Sequence, residues 1–310
     1  MKTAEGNKTS NKYSYSTGWI PPLPDQRNYT IEHPEIDSIY EQNEAMRRLF
    51  ARRPPRHIDL RRYFPPVRDQ GGLNSCTAFA ATAIVEYFQN VSYRKIILAS
   101  PLFTYKTSRR LVGTIGDSGS SCKHAMASLA IIGASPEKYW QYTDNEEEFD
   151  LEPPAFNYAV ADNYEALRYY RLDQDGSSGS SEELLKSIKT HLASKIPIMF
   201  GLPLFSCAEI SWEDEKGRIP FPCPADLAKR GHAVVAVGYD DKMEIKNPRC
   251  DLVTKGAILI RNSWGTQWGE EGYGWLPYEY VLQGFAKEFW ALISAEWLDT
   301  TEFEMLTEEL

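Results

Sequence analysis

The chain has 310 residues, 42% of them hydrophobic and 13% aromatic, which is enough for the core of one catalytic-size unit with an extension. Its 34 basic and 43 acidic residues give a net charge of −9 without a basic stripe, which argues against nucleic acid as the main partner. No apolar run reaches the roughly 20 residues of a membrane span, so we expect no membrane partner.

The N-terminal residues 1–56 are rich in proline, tyrosine and charge. A helical period between Pro34 and the pair Pro54 and Pro55 predicts one helix in this extension. We consider three roles for it: a pro-segment that covers a cleft, a brace, or a packed terminal arm. The apolar residues that carry the period are Ile36, Ile39, Tyr40, Met46, Leu49 and Phe50.

Residues 57–298 form the predicted catalytic domain, and an acidic tail follows at 299–310. The first half of the catalytic domain, about 70–155, is predicted to be helical. One helix, apolar on almost every side, runs from Cys76 to about Asn90, with Asn74 and Ser75 as candidate N-caps. A second lies in "SSCKHAMASLAIIG" and ends at Gly133.

The second half, about 156–298, is predicted to be mainly strand. A Gly/Ser loop leads into a capped amphipathic helix through Leu184, Leu185, Ile188 and Leu192, and a strand begins at Ile196. Short apolar runs bounded by turns follow, namely "HAVVAVGYDD", "KGAILIRNSW", "YGWLPYEYV" and "EFWALISAEW". Helices followed by strands indicate an α+β domain.

The five cysteines are an odd number, so at least one is unpaired in a monomer. The chain has no C-x-x-C pair, and its histidines are not spaced as ligands beside the cysteines, so we expect no metal and no other cofactor. The polar N terminus lacks the apolar region of a secretory signal, which favours a cytoplasmic or non-classically exported protein.

Cys76 stands at the start of a predicted buried helix, where free backbone N–H groups and the helix dipole favour a thiolate. A nucleophilic thiol is one interpretation. A small buried hydrophobic residue is the other, since most free cysteines play that part.

An acyl-transfer site also needs a base and a group that orients it. His232 opens the strand "GHAVVAVGYDD" and is the best base, because the other four histidines are more simply surface or capping residues. Asn262, in "LIRNSWGTQWGEEGYGW", can accept the imidazole N–H. Alternatively Asn262 begins a glycine-rich turn, and Trp264 and Trp268 fill the core. The other four histidines are His33, His57, His124 and His191.

Taken together, these motifs resemble those of the papain-like cysteine peptidases over residues 57–298. "DQGGLNSC" is similar to their glutamine-to-cysteine segment, "GHAVVAVGYDD" to their histidine strand and "IRNSWGTQWGEEGYGW" to their asparagine motif. The resemblance implies a papain-like α+β fold, with a helical left subdomain, a β-barrel-like right subdomain and the active-site cleft between them.

The same resemblance implies the role of each site residue. Cys76 would be the nucleophile, His232 the base and later the acid, and Asn262 the group that orients His232. Gln70 would donate to the oxyanion together with the Cys76 backbone N–H, and Trp264 would cover the bond between His232 and Asn262.

Two departures accompany the match. Leu73 and Thr77 stand where the family usually has a cysteine and a tryptophan, so a familiar disulfide is missing, as in microbial-type members or proteins of a reducing compartment. The interval between His232 and Asn262, which contains "KMEIKNPRCDLVTK", predicts a longer hairpin or loop.

Substrate contacts follow from the glycine-containing stretch "GDSGSSCKHAM". It resembles the family's wall for an extended peptide, which implies that Ser118, Gly119 and Ser120 bind the substrate backbone; a turn that caps the next helix is the alternative. Gly231 and Trp264, beside the base and its orienting asparagine, complete the predicted substrate-binding set.

We therefore predict a monomeric thiol peptidase that hydrolyses peptide bonds of a peptide or protein substrate through a thioester. Two alternatives use the same fold. One is a catalytically silent peptide-binding or regulatory protein, and the other is an amide hydrolase or transpeptidase with the same site.

Overall fold

A computed structural model of the chain describes residues 15–22, 28–42, 52–162, 168–173, 180–214 and 216–293. Met46, Leu49 and Phe50 of the predicted N-terminal helix and the acidic tail 299–310 lie outside the described residues. Within the described residues, no helix combines the length and the apolar composition that crossing a bilayer requires.

The helices are concentrated in the first half of the domain. The longest helix, Cys76–Tyr93, ends before Arg94, whose backbone is left-handed. The next helix, Pro101–Val112, ends before Gly113, which is also left-handed. The described helices are α1 (Pro34–Gln42), α2 (Cys76–Tyr93), α3 (Pro101–Val112), α4 (Cys122–Ile131), α5 (Ala155–Ala161), α6 (Ser181–Ala193) and α7 (Glu279–Leu282).

Local sequence explains most of these boundaries. Ser180 and Glu183 form a capping box at the start of α6, as the sequence predicts. The expected cap of α2 is wrong, however: Ser75 holds the N-cap position, but its hydroxyl lies 2.8 Å from Tyr142 Oη and makes no capping bond. The backbone N–H groups of Cys76 and Thr77 in this first turn instead lie against the Cys76 sulfur.

The second half is built around one antiparallel sheet. Its strands lie in the order β2, β7, β3, β4, β5, β6, and β1 pairs with the far part of β4. Period-two alternation is lost in the centre of the sheet, because β4 is buried on both faces from His232 to Tyr239. The strands are β1 (His57–Asp59), β2 (Arg168–Arg171), β3 (Ile198–Phe205), β4 (Ala228–Asn247), β5 (Leu252–Arg261), β6 (Tyr273–Pro277) and β7 (Lys287–Ile293).

The core joins the two halves. Buried residues of α2 and α4 and of the central strands form one continuous hydrophobic cluster, and a smaller cluster around Leu73 and Tyr105 lies among the helices. Because α2 packs against β4, the N-terminal end of the helix meets the first part of the strand. This contact brings Cys76 and His232, far apart in sequence, to the same cleft.

The predicted long hairpin is formed by β4 and β5, which pair as far as Asn247 and Leu252. A disulfide joins Cys250, at the hairpin tip, to Cys223. Cys76, Cys122 and Cys207 are free and buried.

The N-terminal arm, residues 15–22 and 28–42, touches the domain at two places. Its helix α1 lies near the edge strand β2, where Arg171 N donates to Tyr29 O (2.8 Å) and Arg168 pairs with Glu35 (3.3 Å). Ile36 of α1 is fully buried. The other part of the arm, residues 15–22 ("YSTGWIPP"), is called the cleft segment below because it lies across the cleft.

Candidate active site

Cys76 is the first residue of α2 and is completely buried. Its sulfur lies against the backbone N–H groups of Ala233 in β4 and of Trp19 in the cleft segment. These groups favour the thiolate, but the loss of solvent outweighs them, and burial raises the pKa of the Cys76 thiol to about 12.

His232 lies in the same strand, next to Ala233. Its Nε2 is 2.7 Å from Asn262 Oδ1, an oxygen that also accepts the Ser263 N–H at 2.8 Å. Since Oδ1 is the acceptor of both bonds, His232 carries its proton on Nε2. Nδ1 is buried and has no hydrogen-bond partner among the described residues, which leaves its lone pair for proton exchange.

Trp264 covers this hydrogen bond. Its indole stacks on the His232 ring with a centroid distance of 4.7 Å, and Trp268 meets Trp264 edge-on at 5.4 Å. With the cleft segment in place, burial lowers the pKa of His232 to about 4, although Asn262 opposes the shift. Burial under the cleft segment therefore disfavours the charged forms of both the thiol and the imidazole.

Gln70 is fully buried and fixed on several sides. Its Oε1 accepts the Ser263 hydroxyl at 2.6 Å, and its Nε2 donates to Leu73 O at 2.7 Å. The same Nε2 donates to Thr17 O at 3.3 Å, so a carbonyl of the cleft segment lies where an oxyanion donor is predicted. Ser263, which the sequence analysis did not select, positions this donor.

The wall predicted to bind substrate pairs with the cleft segment through its backbone. Ser120 N donates to Gly18 O and Ile20 N donates to Ser120 O, both at 3.0 Å. On the opposite side, Gly18 N and Trp19 N both donate to Gly231 O, at 3.0 and 3.1 Å. Ser120 and Gly231 therefore bind the backbone of an extended chain from two sides.

Gly119 and Ser118 differ in this respect. A Cβ on Gly119 would lie 2.3 Å from Gly18 O, so glycine permits the close approach. Ser118 bonds within its own loop, its hydroxyl to Thr114 Oγ1 at 3.2 Å, and the structure does not bring it to the cleft segment.

At the other end of the cleft, Trp264 holds the start of the segment. Its Nε1 donates to Ser16 O (2.9 Å), and its ring stacks on Tyr15 at 4.6 Å. A groove of about 240 Å³ continues beyond Tyr15 between Trp212 and Lys229. The segment thus passes Trp264 first, then Gln70, and finally the wall formed by Ser120 and Gly231.

Two further residues of the cleft, Trp19 and Glu288, were not selected from the sequence. The Trp19 indole enters a pocket beside Gly201 and Gly231, and its Nε1 donates to Glu288 Oε2 at 2.6 Å. A buried acid inside the apolar strand "KEFWALI" was the available signal.

The remaining histidines do not join the site. His33 stacks on Tyr29, His57 lies near Asp240 and His124 contacts Ser121, so each has a local contact. The sequence suggested that His191 is a surface or capping residue, but it is buried in α6, with its ring 5.8 Å from that of Tyr170 in β2. Among the described residues, no group of three or more His, Cys, Asp or Glu side chains could hold a metal ion.

Cys76, His232, Asn262 and Gln70 all lie within the range covered by a family comparison. A model described as papain family cysteine protease matches residues 54–280. The chain belongs to the papain family. The resemblance inferred from the sequence and the α+β papain-like fold are confirmed, and membership makes the protein a hydrolase of the cysteine-peptidase type.

Relatives come from several kingdoms. The chain is 30% identical over 229 residues to the uncharacterized peptidase C1-like protein L477 of Acanthamoeba polyphaga mimivirus, covering 72% of this chain and 68% of the relative. To cysteine proteinase 3 of Entamoeba histolytica it is 25% identical over 223 residues, which are 71% of this chain but 61% of that one. The solved structure of xylellain, a cysteine protease from Xylella fastidiosa, is 28% identical with a TM-score of 0.69, covering 92% and 99% of the two chains.

Proposed function

We propose that the protein hydrolyses peptide bonds with Cys76 as nucleophile, His232 as base and acid, Asn262 as the orienting group and Gln70 as oxyanion donor. The observation that carries the proposal is the position of the Thr17 carbonyl. It accepts from Gln70 Nε2 while the neighbouring chain lies against the Cys76 sulfur. A peptide carbonyl therefore fits between the nucleophile and the donor that its oxyanion would need.

The reaction follows from these positions. His232 Nδ1 takes the proton of the Cys76 thiol, the sulfur bonds to the substrate carbonyl carbon, and Gln70 Nε2 donates to the oxyanion. The C–N bond then breaks as His232 gives its proton to the leaving amine, and a thioester remains. Water, deprotonated by His232, attacks the thioester, and the thiol and a carboxylic acid are released.

For the N-terminal extension we propose the role of an autoinhibitory arm. Two groups of the active site, Gln70 Nε2 and Trp264 Nε1, donate to carbonyls of the cleft segment, and Ser120 and Gly231 bind its backbone. A substrate requires the same groups. The segment must leave before a peptide can enter.

The cleft segment runs in the direction that resists cleavage. Since His232 protonates the leaving amine, the amine half of a substrate lies toward His232 and Trp264, and the acyl half lies along Ser120 and Gly231. The segment instead begins at Trp264 and ends at Ser120, with which it pairs in parallel.

In this reversed position the amine that would leave lies on the acyl side of the cleft, away from His232, the proposed acid. Attack at the Thr17 carbonyl would require the Gly18 nitrogen to leave, but that N–H donates to Gly231 O on the acyl side. His232 therefore cannot readily supply the proton that the step needs.

Gly18 offers a full-length variant that opens the cleft. Its φ is +144°, and a Cβ would lie 2.0 Å from the backbone oxygen of Asn74, so Gly18→Val cannot keep the docked conformation. Ile20→Ala is the matched control, because the Ile20 side chain is half exposed. The experiment compares hydrolysis of a fluorogenic peptide library by the wild-type chain, both variants and Gly18→Val/Cys76→Ala.

We expect Gly18→Val to hydrolyse peptides at least about tenfold faster than the wild-type chain and Ile20→Ala to match the wild type. Adding Cys76→Ala should reduce hydrolysis to background, a loss on the order of a millionfold. Hydrolysis that survives Cys76→Ala would refute the assignment. Peptide binding without cleavage would indicate the silent binding protein, and transfer products with an added amine would indicate a transpeptidase.

The disulfide bears on localisation. Cytosolic thiols are kept reduced, whereas disulfides persist in oxidising compartments. Of the two locations considered from the sequence, the bond between Cys223 and Cys250 favours export. Fractionation of the source cells, with thiol labelling under non-reducing conditions, tests this: a reduced pair in a cytoplasmic fraction would contradict it.

A further inference from the structure

The loop between Gln70 and Cys76 joins the proposed oxyanion donor to the proposed nucleophile. Its sequence, "GGLNS", contains no cysteine, so no disulfide can fix it, and hydrogen bonds hold it instead. The bond nearest to the chemistry is the one from Gln70 Nε2 to Leu73 O, at 2.7 Å. The direction in which Leu73 O points therefore decides where the amide of Gln70 lies.

Asp117 fixes the same peptide group from its other side. Leu73 O and Asn74 N belong to one trans, planar peptide group, so its oxygen and its hydrogen point in opposite directions. Asn74 N donates to Asp117 Oδ1 at 2.8 Å, and Asn74 Nδ2 donates to Asp117 Oδ2 at 2.8 Å. The carboxylate thus sets the orientation of the peptide group that orients Gln70.

The two bonds of this peptide group strengthen each other. An N–H that donates to a carboxylate polarises its peptide group, which makes the oxygen of that group a better acceptor. Of the two protons on Gln70 Nε2, one donates to Leu73 O and the other to Thr17 O, where the oxyanion of a substrate would lie. Holding the first proton in place therefore aims the second.

Asp117 is itself held by Tyr105, a fully buried residue of α3. Tyr105 Oη donates to Asp117 Oδ1 at 2.7 Å and accepts the Gly119 N–H at 2.9 Å. Burial raises the pKa of Tyr105, so its hydroxyl keeps the proton that it donates. Since Gly119 precedes Ser120, Asp117 connects the oxyanion donor to the wall that binds the cleft segment.

Holding the loop in place would require less than this. Asn74 Nδ2 already ties the loop to Asp117 through a side chain, and Leu73 packs with Tyr105 in the small cluster among the helices. Neither contact accounts for the bond from the Asn74 N–H, which acts on the peptide group that holds the oxyanion donor.

We propose that Asp117 is a positioning residue for the oxyanion donor and acts on Gln70 through the peptide group of Leu73 and Asn74. This inference rests on the proposed peptidase function. Without the carboxylate, the Asn74 N–H loses its acceptor, the peptide group turns, and Leu73 O no longer aims Gln70 Nε2 at the substrate. Because the oxyanion develops in the transition state, the loss falls on kcat rather than on KM.

The test is a double-mutant cycle in the full-length chain with Gly18→Val, whose cleft is open. Asp117→Ala should lower kcat about tenfold with little change in KM. In the chain that also carries Gln70→Ala, the same substitution should lower kcat by less than about twofold, because the donor that Asp117 positions is gone. Equal losses of kcat in the two chains would indicate a general effect on the fold and would overturn the inference.

Two variants control for the loss of a hydrogen bond in the loop. Asp144 Oδ2 accepts the N–H of Gly72 at 2.9 Å, in a different peptide group of the same loop, so Asp144→Ala should change kcat by less than about twofold. A loss as large as that of Asp117→Ala would contradict the proposal. Asp117→Asn keeps an oxygen for the Asn74 N–H and should restore most of kcat.

Thermal unfolding verifies that each variant is folded. If Asp117→Ala does not fold, Tyr105→Phe takes its place in the cycle, because it removes one bond from the carboxylate and keeps the ring. It should lower kcat about threefold, and this loss should disappear in the Gln70→Ala chain. An unchanged loss there would overturn the inference.

Nuclear magnetic resonance provides a second readout that does not depend on cleavage. In the wild-type chain with isotope-labelled glutamine, Gln70→Ala identifies the side-chain amide signal of Gln70. Asp117→Ala should move this signal, whereas Asp144→Ala should not. A moved signal without hydrolysis by the Gly18→Val chain would support the coupling of Asp117 to Gln70 and refute the proposed function. Hydrolysis with an unmoved signal would refute this inference alone, and an unmoved signal without hydrolysis would refute both.

Discussion

The N-terminal arm and the domain beneath it are held by different kinds of contact. In the domain, α2 packs against β4 through a continuous buried core, and a peptide cannot replace that packing. The cleft segment is held mainly by backbone hydrogen bonds to Ser120 and Gly231 and by one large side chain, Trp19. An extended peptide offers backbone contacts of the second kind, so under the proposed autoinhibitory role the arm is displaced while the domain remains folded.

The comparison also shows where the two regions meet. The domain contributes Gln70, Trp264 and Glu288 to the arm through polar groups, and the Trp264 ring also stacks on Tyr15. Helix α1 keeps the segment near the cleft by docking beside β2, which raises its effective concentration. Changes to the domain side of these contacts should alter chemistry, and changes to the arm should alter access.

The largest effect is expected at Gln70. Gln70→Ala, made in the Gly18→Val chain so that the cleft is open, should lower kcat by about a hundredfold to a thousandfold because an oxyanion donor is lost. KM should change little. Circular dichroism should show that the fold is retained; a loss of kcat below about threefold would mean that another group holds the oxyanion.

The next effect concerns access to Cys76. Burial under the arm raises the pKa of the thiol, so the thiolate fraction of the wild-type chain is small at neutral pH and grows as the pH rises. Gly18→Val, which cannot keep the docked conformation, should uncover the thiol, lower its pKa and speed alkylation by iodoacetamide at pH 6 by about a hundredfold. The Ile20→Ala chain is the control, and equal rates in all three proteins would show that the arm does not shield the thiol.

A smaller effect is expected at Ser263, a positioning residue. Its hydroxyl donates to Gln70 Oε1 at 2.6 Å, and losing one such bond costs about 1 kcal/mol, or roughly fivefold. Ser263→Ala in the open chain should therefore reduce kcat with little change in KM. Rescue by Ser263→Thr would support positioning through the hydroxyl, whereas an equal rise in KM would suggest a direct contact with substrate.

The smallest effect on activity is expected from the disulfide, which lies at the hairpin tip. Replacing Cys223 and Cys250 by serine should lower the unfolding free energy by about 3 kcal/mol, because the loop between them is no longer closed. The unfolding midpoint should fall by roughly 6 to 12 °C, with kcat unchanged. A change in kcat would show that the hairpin is coupled to the cleft.

Much of the site could be predicted because its motifs are local. Cys76 begins a run that is apolar on nearly every side, and Asn262 lies in a dense group of glycine and tryptophan residues. Their meeting with His232 could not be derived from spacing alone. It depends on α2 packing against β4, and the family resemblance supplied that information.

Other features were missed for definable reasons. The start and end of α3 were both encoded, by Ser100 as a capping residue before Pro101 and by Gly113 after the last turn, yet its mixed polarity hid the helix. The cap predicted at Ser75 failed because Tyr142, distant in sequence, takes the hydroxyl. Tertiary contacts decided the second case, and no local pattern contains them.

Glu288 shows the same dependence more strongly. In sequence it is an acidic residue in an apolar strand, which would ordinarily point to solvent. Its backbone has a φ of +59°, Asp173 Oδ2 accepts its N–H, and its contact with Trp19 is visible only in the structure. The sequence left three roles open for the extension, namely a pro-segment, a brace or a terminal arm. Choosing among them likewise required the positions of its backbone groups.

Chain direction in the cleft also bears on how long the arm can serve. A segment bound in the productive direction would be cleaved by the active site that it covers, and one turnover would destroy it as an inhibitor. Because Tyr15 lies at the leaving-group end of the cleft and Ile20 at the acyl end, the arm is not cleaved when it binds again. One molecule could then be unmasked and masked again many times.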